Sequence, residues 1–217
     1  MTGAVTSDSL RQATEQLIAF GRAAAEAGLL ASTCGNASVR VGDDDMLISA
    51  SGSSVGALQP THVTLVGIAD GAVKDGPKPS MELDIHRRVY LARPRCGAVL
   101  HCQSRAATLV CCMQTPPSNL DLIPEIPAYV RRHAFVDYAQ PGSQKLAEDV
   151  AGALSDADVT IVQMRNHGQV IIGGRWQNVV RRATFFELAC SFATQGHPLR
   201  TIPEAEAAAL RDYARDV

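Results

Sequence analysis

The sequence has little net charge and no long apolar run, and each absence excludes a class of protein. Its 20 Lys and Arg residues nearly balance 22 Asp and Glu residues, whereas a nucleic-acid-binding protein usually shows a basic excess. No apolar stretch approaches the roughly 20 residues of a membrane-spanning helix. Residues 1–11 lack the basic-then-apolar layout of a signal peptide. We therefore expect no nucleic-acid or membrane partner, and a cytoplasmic location.

Paired-cysteine and nucleotide-binding motifs are also missing. The six cysteines include no C-x-x-C pair, and the adjacent Cys111 and Cys112 make a poor disulfide pattern. Unpaired cysteines fit a reducing compartment, where they pack as small apolar residues. The sequence contains neither G-x-G-x-x-G nor a Walker motif, so we infer no nucleotide site.

Apolar periodicity predicts helices and short strands within a single domain covering residues 1–217. Helical patterns cover residues 8–28, 80–91, 104–113, 143–154, 176–195 and 204–217, and Asp8 is expected to cap the first helix. Strand patterns cover residues 36–41, 46–49, 63–68, 98–100, 159–164 and 169–172. The Pro-rich segment 114–141 is expected to be loop with some strand. The hairpins favour a layered α/β domain whose sheet is at least partly antiparallel.

Three side chains occupy positions that often present reactive groups to a cleft. Glu82 lies in the first turn of a predicted helix, His101 follows an apolar strand, and His167 lies between two strands. Each also has a structural explanation, since a carboxylate is favourable at any helix N-terminus and a histidine commonly serves as a hydrogen-bonding residue. Their spacing matches no zinc-finger pattern, so the residues alone leave both interpretations open.

Five short segments occur in the order typical of one family. They are GNASVR at 35–40, LISASG at 47–52, PSME at 79–82 with His86 following, VLHCQ at 99–103 and NHG at 166–168. Together they resemble the class II aldolase/adducin family, from about residue 17 to residue 195. The resemblance implies a three-layer α/β/α domain with a central, largely antiparallel sheet. It also implies a homo-oligomer, expected to be a tetramer, with active sites at subunit boundaries.

The resemblance further implies a metal-dependent lyase acting on a small hydroxy-carbonyl substrate. Glu82 would be the acid/base residue, and His101 and His167 would bind a divalent ion that stabilises an enediolate. Tyr129 lies where relatives place a tyrosine that acts on the leaving group. The remaining candidates would bind the substrate, by backbone and side-chain donors or through an arginine of a neighbouring subunit: Asn36, Ser51, Gly52, Ser80 and Arg131.

Two residues depart from the family pattern. Gln103 stands where a second histidine is usual, and an amide oxygen binds metals weakly, so zinc is the first expectation while Mn, Co or Mg become alternatives. Cys102 is a rival ligand, but strand alternation directs it away from His101. Met81 replaces a serine that helps hold phosphate in sugar-phosphate aldolases. This brings a carboxylate or an unphosphorylated substrate into consideration.

Several reactions remain compatible with these residues. Aldol cleavage is the leading expectation. Decarboxylation of a hydroxylated acid, which could be aromatic, comes next and dehydration third, since all three use one electron sink. A non-catalytic interaction module like the adducin head is the alternative of another class. The presence of Glu82, His101 and His167 argues against that module, and Gln103 argues for it.

Overall fold

A computed structural model of the chain describes residues 6–214. These residues form a domain built around one eight-stranded sheet. The strands are β1 (Asn36–Val41), β2 (Asp45–Ser49), β3 (Val63–Gly67), β4 (Val73–Asp75), β5 (Ala98–Cys102), β6 (Arg132–Val136), β7 (Val159–Met164) and β8 (Gly168–Gly173). They lie side by side in the order β4–β3–β2–β1–β5–β8–β7–β6. Only β6 and β7 pair in parallel among these strands. The largely antiparallel central sheet is confirmed.

Helices cover both faces of the sheet, which confirms the three-layer architecture. They are α1 (Ser7–Glu26), α2 (Leu83–Ala92), α3 (Arg105–Cys112), α4 (Gln144–Ala153), α5 (Trp176–Ala193) and α6 (Glu204–Tyr213). One apolar core joins α1, α3 and α5 to the sheet, and a second joins α2 and α4 to the opposite face. Alternation along β5 supplies both cores, because Leu100 belongs to the first and Val99 to the second.

The first helix follows the predicted apolar stripe, but its cap lies outside the predicted range. Leu17, Phe20 and Ala24 are fully buried at helical spacing. Thr6 accepts a hydrogen bond from the backbone of Ser9 and is the N-cap, whereas Asp8 lies inside the first turn. The prediction that Asp8 caps this helix was wrong.

Two other predicted boundaries near the candidate site were displaced by strand pairing. The helix expected from Ser80 begins at Leu83, because the preceding segment pairs with the end of β2 through a bridge between Ala50 and Pro79. Glu82 is therefore the residue before α2 and not part of its first turn. His101 lies inside β5, where it pairs with Val170 of β8, and does not follow the strand.

The Pro-rich segment combines loop and strand as expected. It includes a short π-helical turn, Ile126–Val130, and β6. The predicted last helix is present as α6, and its predicted end at residues 215–217 lies outside the described residues. Among residues 6–214, no helix has the length and apolar character required to cross a bilayer.

Candidate active site and metal centre

Three polar side chains from distant parts of the chain meet at one end of the central strands β5 and β8. β5 carries His101 near its end, and β8 begins directly after His167. These strands are antiparallel neighbours, so the end of β5 lies beside the start of β8. Glu82 precedes α2, and the segment before it pairs with the end of β2. The topology thereby brings Glu82, His101 and His167 together.

These side chains form a buried cluster with short contacts. His101 Nε2 lies 3.3 Å from Glu82 Oε2, and His167 Nε2 lies 3.3 Å from Glu82 Oε1. The two imidazole rings meet edge to face with their centroids 4.8 Å apart. No side chain of the three is more than 8% exposed. Because water is largely excluded, the electrostatic interactions among them are strong.

The surrounding hydrogen bonds leave lone pairs facing one another inside this cluster. His101 Nδ1 lies 2.9 Å from the carbonyl oxygen of Gln169, and since a carbonyl only accepts, Nδ1 carries the proton. In the neutral form of the ring, the metal-binding form, an unprotonated Nε2 faces Glu82. Within residues 6–214, no group hydrogen-bonds to Glu82 Oε1 or His167 Nδ1, although both atoms are buried. A cation between these residues would relieve the repulsion, so the donor set fits a divalent metal ion.

Burial also keeps His167 in the form that binds metals. Removal from water lowers the pKa of its imidazole, the nearby His101 lowers it further, and the carboxylate of Glu82 opposes both effects. The pKa lies below its usual value, so His167 is neutral at pH 7. Only a neutral imidazole offers a lone pair to a cation.

A cavity of about 520 Å³ opens onto this cluster. Besides the three clustered residues, its lining includes Met81, Gln103 and Tyr138. Tyr138 lies beyond β6 and is 60% exposed. The sequence gave no indication that Tyr138 belongs to the site, because it lies in the Pro-rich segment, which has no regular apolar period. Only the folded path of this segment brings Tyr138 to the cavity. The space is large enough to hold a small metabolite.

Comparison with known proteins identifies the family to which this chain belongs. The family model of the Class II Aldolase and Adducin N-terminal domain matches residues 15–194. The chain is a member of the class II aldolase/adducin family. Five ordered segments of the sequence predicted this membership, and it is confirmed.

Relatives within the class II aldolase family carry out more than one reaction. The chain is 31% identical over 189 residues to a 3-oxo-tetronate 4-phosphate decarboxylase of Escherichia coli (strain K12), covering 85% of this chain and 88% of that protein. It is 34% identical over 140 residues to an L-fuculose phosphate aldolase of Methanocaldococcus jannaschii, covering 64% and 72%. The crystal structure of YgbL from Escherichia coli, described as a putative aldolase/epimerase/decarboxylase, superposes with a TM-score of 0.85 at 27% identity. That match covers 94% of this chain and 100% of YgbL. The decarboxylase and the aldolase are lyases, and these relatives support the conclusion that this chain is an enzyme.

Gln103 is a further candidate ligand in this class II aldolase site. It lines the cavity shared by Glu82, His101 and His167. Cys102, by contrast, is fully buried in the apolar core on the other face of the sheet, and burial raises the pKa of its thiol to about 12. A thiol in that environment is not a thiolate and faces away from the cluster, as strand alternation predicted.

Four candidate substrate-binding positions differ in their contact with Glu82 and in their exposure. Asn36 is buried, and its Nδ2 donates to Glu82 Oε2 over 2.9 Å. Ser80 is buried and its hydroxyl accepts from the backbone of Glu82. Ser51 and Gly52 are exposed, and the backbone N–H of Ser51 donates to the carbonyl of Lys78. The exposed pair is accessible to solvent, but neither of its residues lines the cavity that contains Glu82.

Arg131 and Tyr129 lie away from the cluster in the protomer. Arg131 directly precedes β6 and lies at the opposite end of the strands from His167. It forms an ion pair with Asp158. Tyr129 stacks on Phe185 with centroids 5.8 Å apart, beneath the guanidinium of Arg181. Neither residue lines the cavity that contains Glu82. A role for either one in catalysis requires a neighbouring subunit.

Proposed function

We propose that the protein is a divalent-metal-dependent lyase that decarboxylates a small 3-oxo acid. The convergence of Glu82, His101 and His167 in one buried cluster carries this proposal. The choice of decarboxylation over aldol cleavage is supported by the 31% identity to a 3-oxo-tetronate 4-phosphate decarboxylase across 85% of the chain. This reverses the order of the two reactions that the sequence patterns favoured.

The metal ligands in this proposal are His101, His167 and Gln103, and zinc is the first expectation for the ion. A bound divalent ion would supply Lewis-acid stabilisation of the negative charge that develops on the substrate oxygens. The protein holds the imidazole of His101 in a fixed orientation, because the backbone carbonyl of Gln169 accepts from its Nδ1. The buried setting excludes water, which strengthens these interactions.

Glu82 is the proposed acid in the reaction. The bond between the carboxylate carbon and C2 breaks, CO₂ leaves, and the bonding electron pair is delocalised onto the C3 carbonyl oxygen as an enolate. Glu82 in its protonated form then donates a proton to C2, giving a ketone one carbon shorter, and water returns a proton to the carboxylate. The proposed binding positions for the anionic end of the substrate are Ser51, Gly52 and Ser80.

The proposed assembly is a homotetramer with Arg131 and Tyr129 contributed to a neighbouring active site. Both residues lie too far from the cluster of their own protomer to act there. Light scattering coupled to size-exclusion chromatography tests this assembly. A monomer with full activity would contradict it.

Metal binding is tested on protein purified without chelator or added metal. We expect close to one divalent ion per chain in the wild type and a rise in melting temperature on adding Zn²⁺. His101→Ala and His167→Ala should lose both, whereas His197→Ala, which removes an exposed histidine, should retain them. Absence of metal and of any thermal shift in the wild type would instead support a non-catalytic module.

The reaction is tested by CO₂ release from 3-oxo acids, with and without a terminal phosphate. Loss of general acid catalysis typically costs about 10²- to 10⁴-fold in rate, so Glu82→Gln should lower kcat by that amount without preventing folding. Activity on unphosphorylated acids alone would support the inference drawn from Met81. Release of an aldehyde without CO₂ would overturn the decarboxylase proposal.

Aldol cleavage is the second candidate because a phenol lines the cavity. Tyr138 lies on the same cavity as Glu82 and would exchange a proton with the oxygen of a departing aldehyde. This candidate predicts that Tyr138→Phe lowers aldehyde formation from hydroxy-carbonyl substrates. If the variant instead leaves CO₂ release unchanged and no aldehyde appears from the wild type, decarboxylation stands.

A further inference from the structure

A row of buried polar side chains leads from Glu82 into the space between the sheet and α2. Asn36 Nδ2 lies 2.9 Å from Glu82 Oε2, and Asn36 Oδ1 lies 2.6 Å from His86 Nε2. On the far side, His86 Nδ1 lies 2.7 Å from the hydroxyl of Ser38, which lies 2.9 Å from the hydroxyl of Tyr90. The metal ligands and the substrate-binding positions above use none of the last three residues.

The direction of every hydrogen bond in this row follows from the carboxylate at its end. Asn36 must turn its NH₂ group to Glu82, so its oxygen faces His86. An amide oxygen only accepts, hence His86 carries its proton on Nε2 and accepts at Nδ1 from the hydroxyl of Ser38. Tyr90 then donates to Ser38. Each hydrogen bond of the row therefore has one assigned direction.

The side chains of this row are buried, and Arg40 holds the last of them, Tyr90, in place. Ser38 and His86 are fully buried, and Asn36 and Tyr90 are nearly so. Arg40 stacks on the ring of Tyr90 at 4.8 Å and donates to the carbonyl of the same residue over 2.8 Å. Burial, assisted by the nearby His101, lowers the pKa of His86 to about 3. His86 therefore stays neutral at pH 7 and acts as an orienting group.

We propose that His86 is a positioning residue that fixes the orientation of Asn36 and, through it, the carboxylate of Glu82. If the amide of Asn36 were reversed, its oxygen would lie against Glu82 Oε2 and its NH₂ group against the N–H of His86. Both contacts are repulsive. The donor on His86 therefore holds one carboxylate oxygen in place and leaves Oε1 directed at His167. This inference rests on the proposed acid/base role of Glu82.

Two conservative variants of His86 separate positioning from simple packing. In His86→Gln the longer amide can place an NH₂ group near the position of Nε2 and donate to Asn36. In His86→Asn the shorter amide reaches the position of Nδ1 and so contacts only Ser38. We expect His86→Gln to stay within about threefold of the wild-type kcat. Loss of one orienting partner typically costs roughly 10- to 100-fold, and we expect that loss in kcat of His86→Asn, with KM changed less than about threefold.

A matched control addresses the loss of a buried hydrogen bond in general. The hydroxyl of Thr64 is buried and donates to the carbonyl of Pro77 over 2.7 Å, outside the row. Thr64→Val should therefore leave kcat unchanged. Equal kcat in both His86 variants, in a protein that Glu82→Gln inactivates, would overturn the positioning role. Wild-type turnover in Glu82→Gln would instead overturn the proposed function itself.

A second measurement uses the metal-free wild-type protein and needs no turnover. Long-range ¹H–¹⁵N correlation spectra distinguish the two neutral tautomers of a histidine. We expect the Nε2–H tautomer for His86 from pH 6 to pH 8, and a change of its Nδ1 shift in Ser38→Ala. Finding the Nδ1–H tautomer would reverse the hydrogen bonds of the row and exclude the proposal, even if neither His86 variant folds.

Discussion

At the scale of single residues, the side chain at position 103 is the proposed third metal ligand of this class II aldolase site. Gln103 lines the cavity together with His167 and with His101, whose ring is oriented by the carbonyl of Gln169. An amide oxygen is a weak donor towards zinc, whereas an imidazole is a strong one. If Gln103 is a ligand as proposed, the identity of this residue sets both the metal affinity and the metal preference of the site.

Two variants at this position test its role as a ligand. We expect Gln103→His to tighten Zn²⁺ binding and Gln103→Ala to weaken it, each by roughly tenfold. The effect on Mn²⁺ should be smaller for the histidine variant, because Mn²⁺ prefers oxygen donors. Isothermal titration of metal-free protein gives the dissociation constants. Identical constants for all three proteins would show that residue 103 does not bind the ion.

Gly168 is a second residue whose identity the site restricts. A Cβ atom there would lie 2.6 Å from the carbonyl oxygen of Cys102 and 2.9 Å from the side chain of Gln103. We expect Gly168→Ala to lower the free energy of unfolding by about 1–3 kcal/mol and to weaken metal binding. Gly152, which is exposed on α4 with open space at its Cβ position, is the control. Gly152→Ala should stabilise the protein by up to about 1 kcal/mol, and equal effects in urea unfolding would contradict the steric argument.

At the scale of elements, α3 depends on a carboxylate supplied by another helix. Glu187 of α5 accepts from the backbone N–H groups of Ala106 and Ala107 over 2.7 and 2.9 Å, and from the hydroxyl of Ser104 over 2.7 Å. These N–H groups belong to the first turn of α3, which has no side-chain cap of its own. The sequence predicted the helix but not this cap, because the capping residue lies 80 positions away.

Removal of this carboxylate should destabilise the protein measurably. Because charged hydrogen bonds at a helix N-terminus are strong, we expect Glu187→Ala to lower the free energy of unfolding by about 2–3 kcal/mol. We expect a smaller loss for Glu187→Gln. The control is Glu15→Ala, which breaks an exposed pair with Arg11 and should cost no more than about 0.5 kcal/mol. Urea denaturation provides the comparison. A loss no larger than that of the control would rule out the capping role.

At the scale of the whole molecule, a largely buried histidine limits stability in acid. His133 of β6 lies against the rings of Phe135 and Phe186. Burial lowers the pKa of its imidazole to about 4. Below pH 6.5 the unfolded chain binds a proton at this residue that the folded chain does not, so stability falls as the pH drops from about 6.5 to about 4. Below that range both states are protonated and the loss stops growing.

Substitution of His133 should therefore reduce the sensitivity to acid. Between pH 7 and pH 5, we expect the free energy of unfolding to fall by about 1–2 kcal/mol less in His133→Gln than in the wild type. His197→Gln, which replaces an exposed histidine, should retain the wild-type difference. The quantity to measure is the unfolding free energy of each protein at both pH values. A wild-type pH dependence in His133→Gln would contradict the assignment.

The sequence by itself determined the local elements and the family. Apolar spacing placed β1, β7 and α1 nearly as observed, because the residues of one element are close in sequence and its period is visible there. It also gave Glu82, His101 and His167 as the chemical candidates. It could not show that Glu82 stands outside α2, since pairing of the preceding segment with β2 moved the start of that helix.

Only the tertiary structure decided how these residues act together. The distances among Glu82, His101 and His167 depend on the antiparallel pairing of β5 with β8. The paired residues of these strands are separated by about a third of the chain. The same holds for the row through Asn36 and His86, where β1 meets α2. Such contacts carry no local period, because burial and strand register fix them and neighbours in sequence do not.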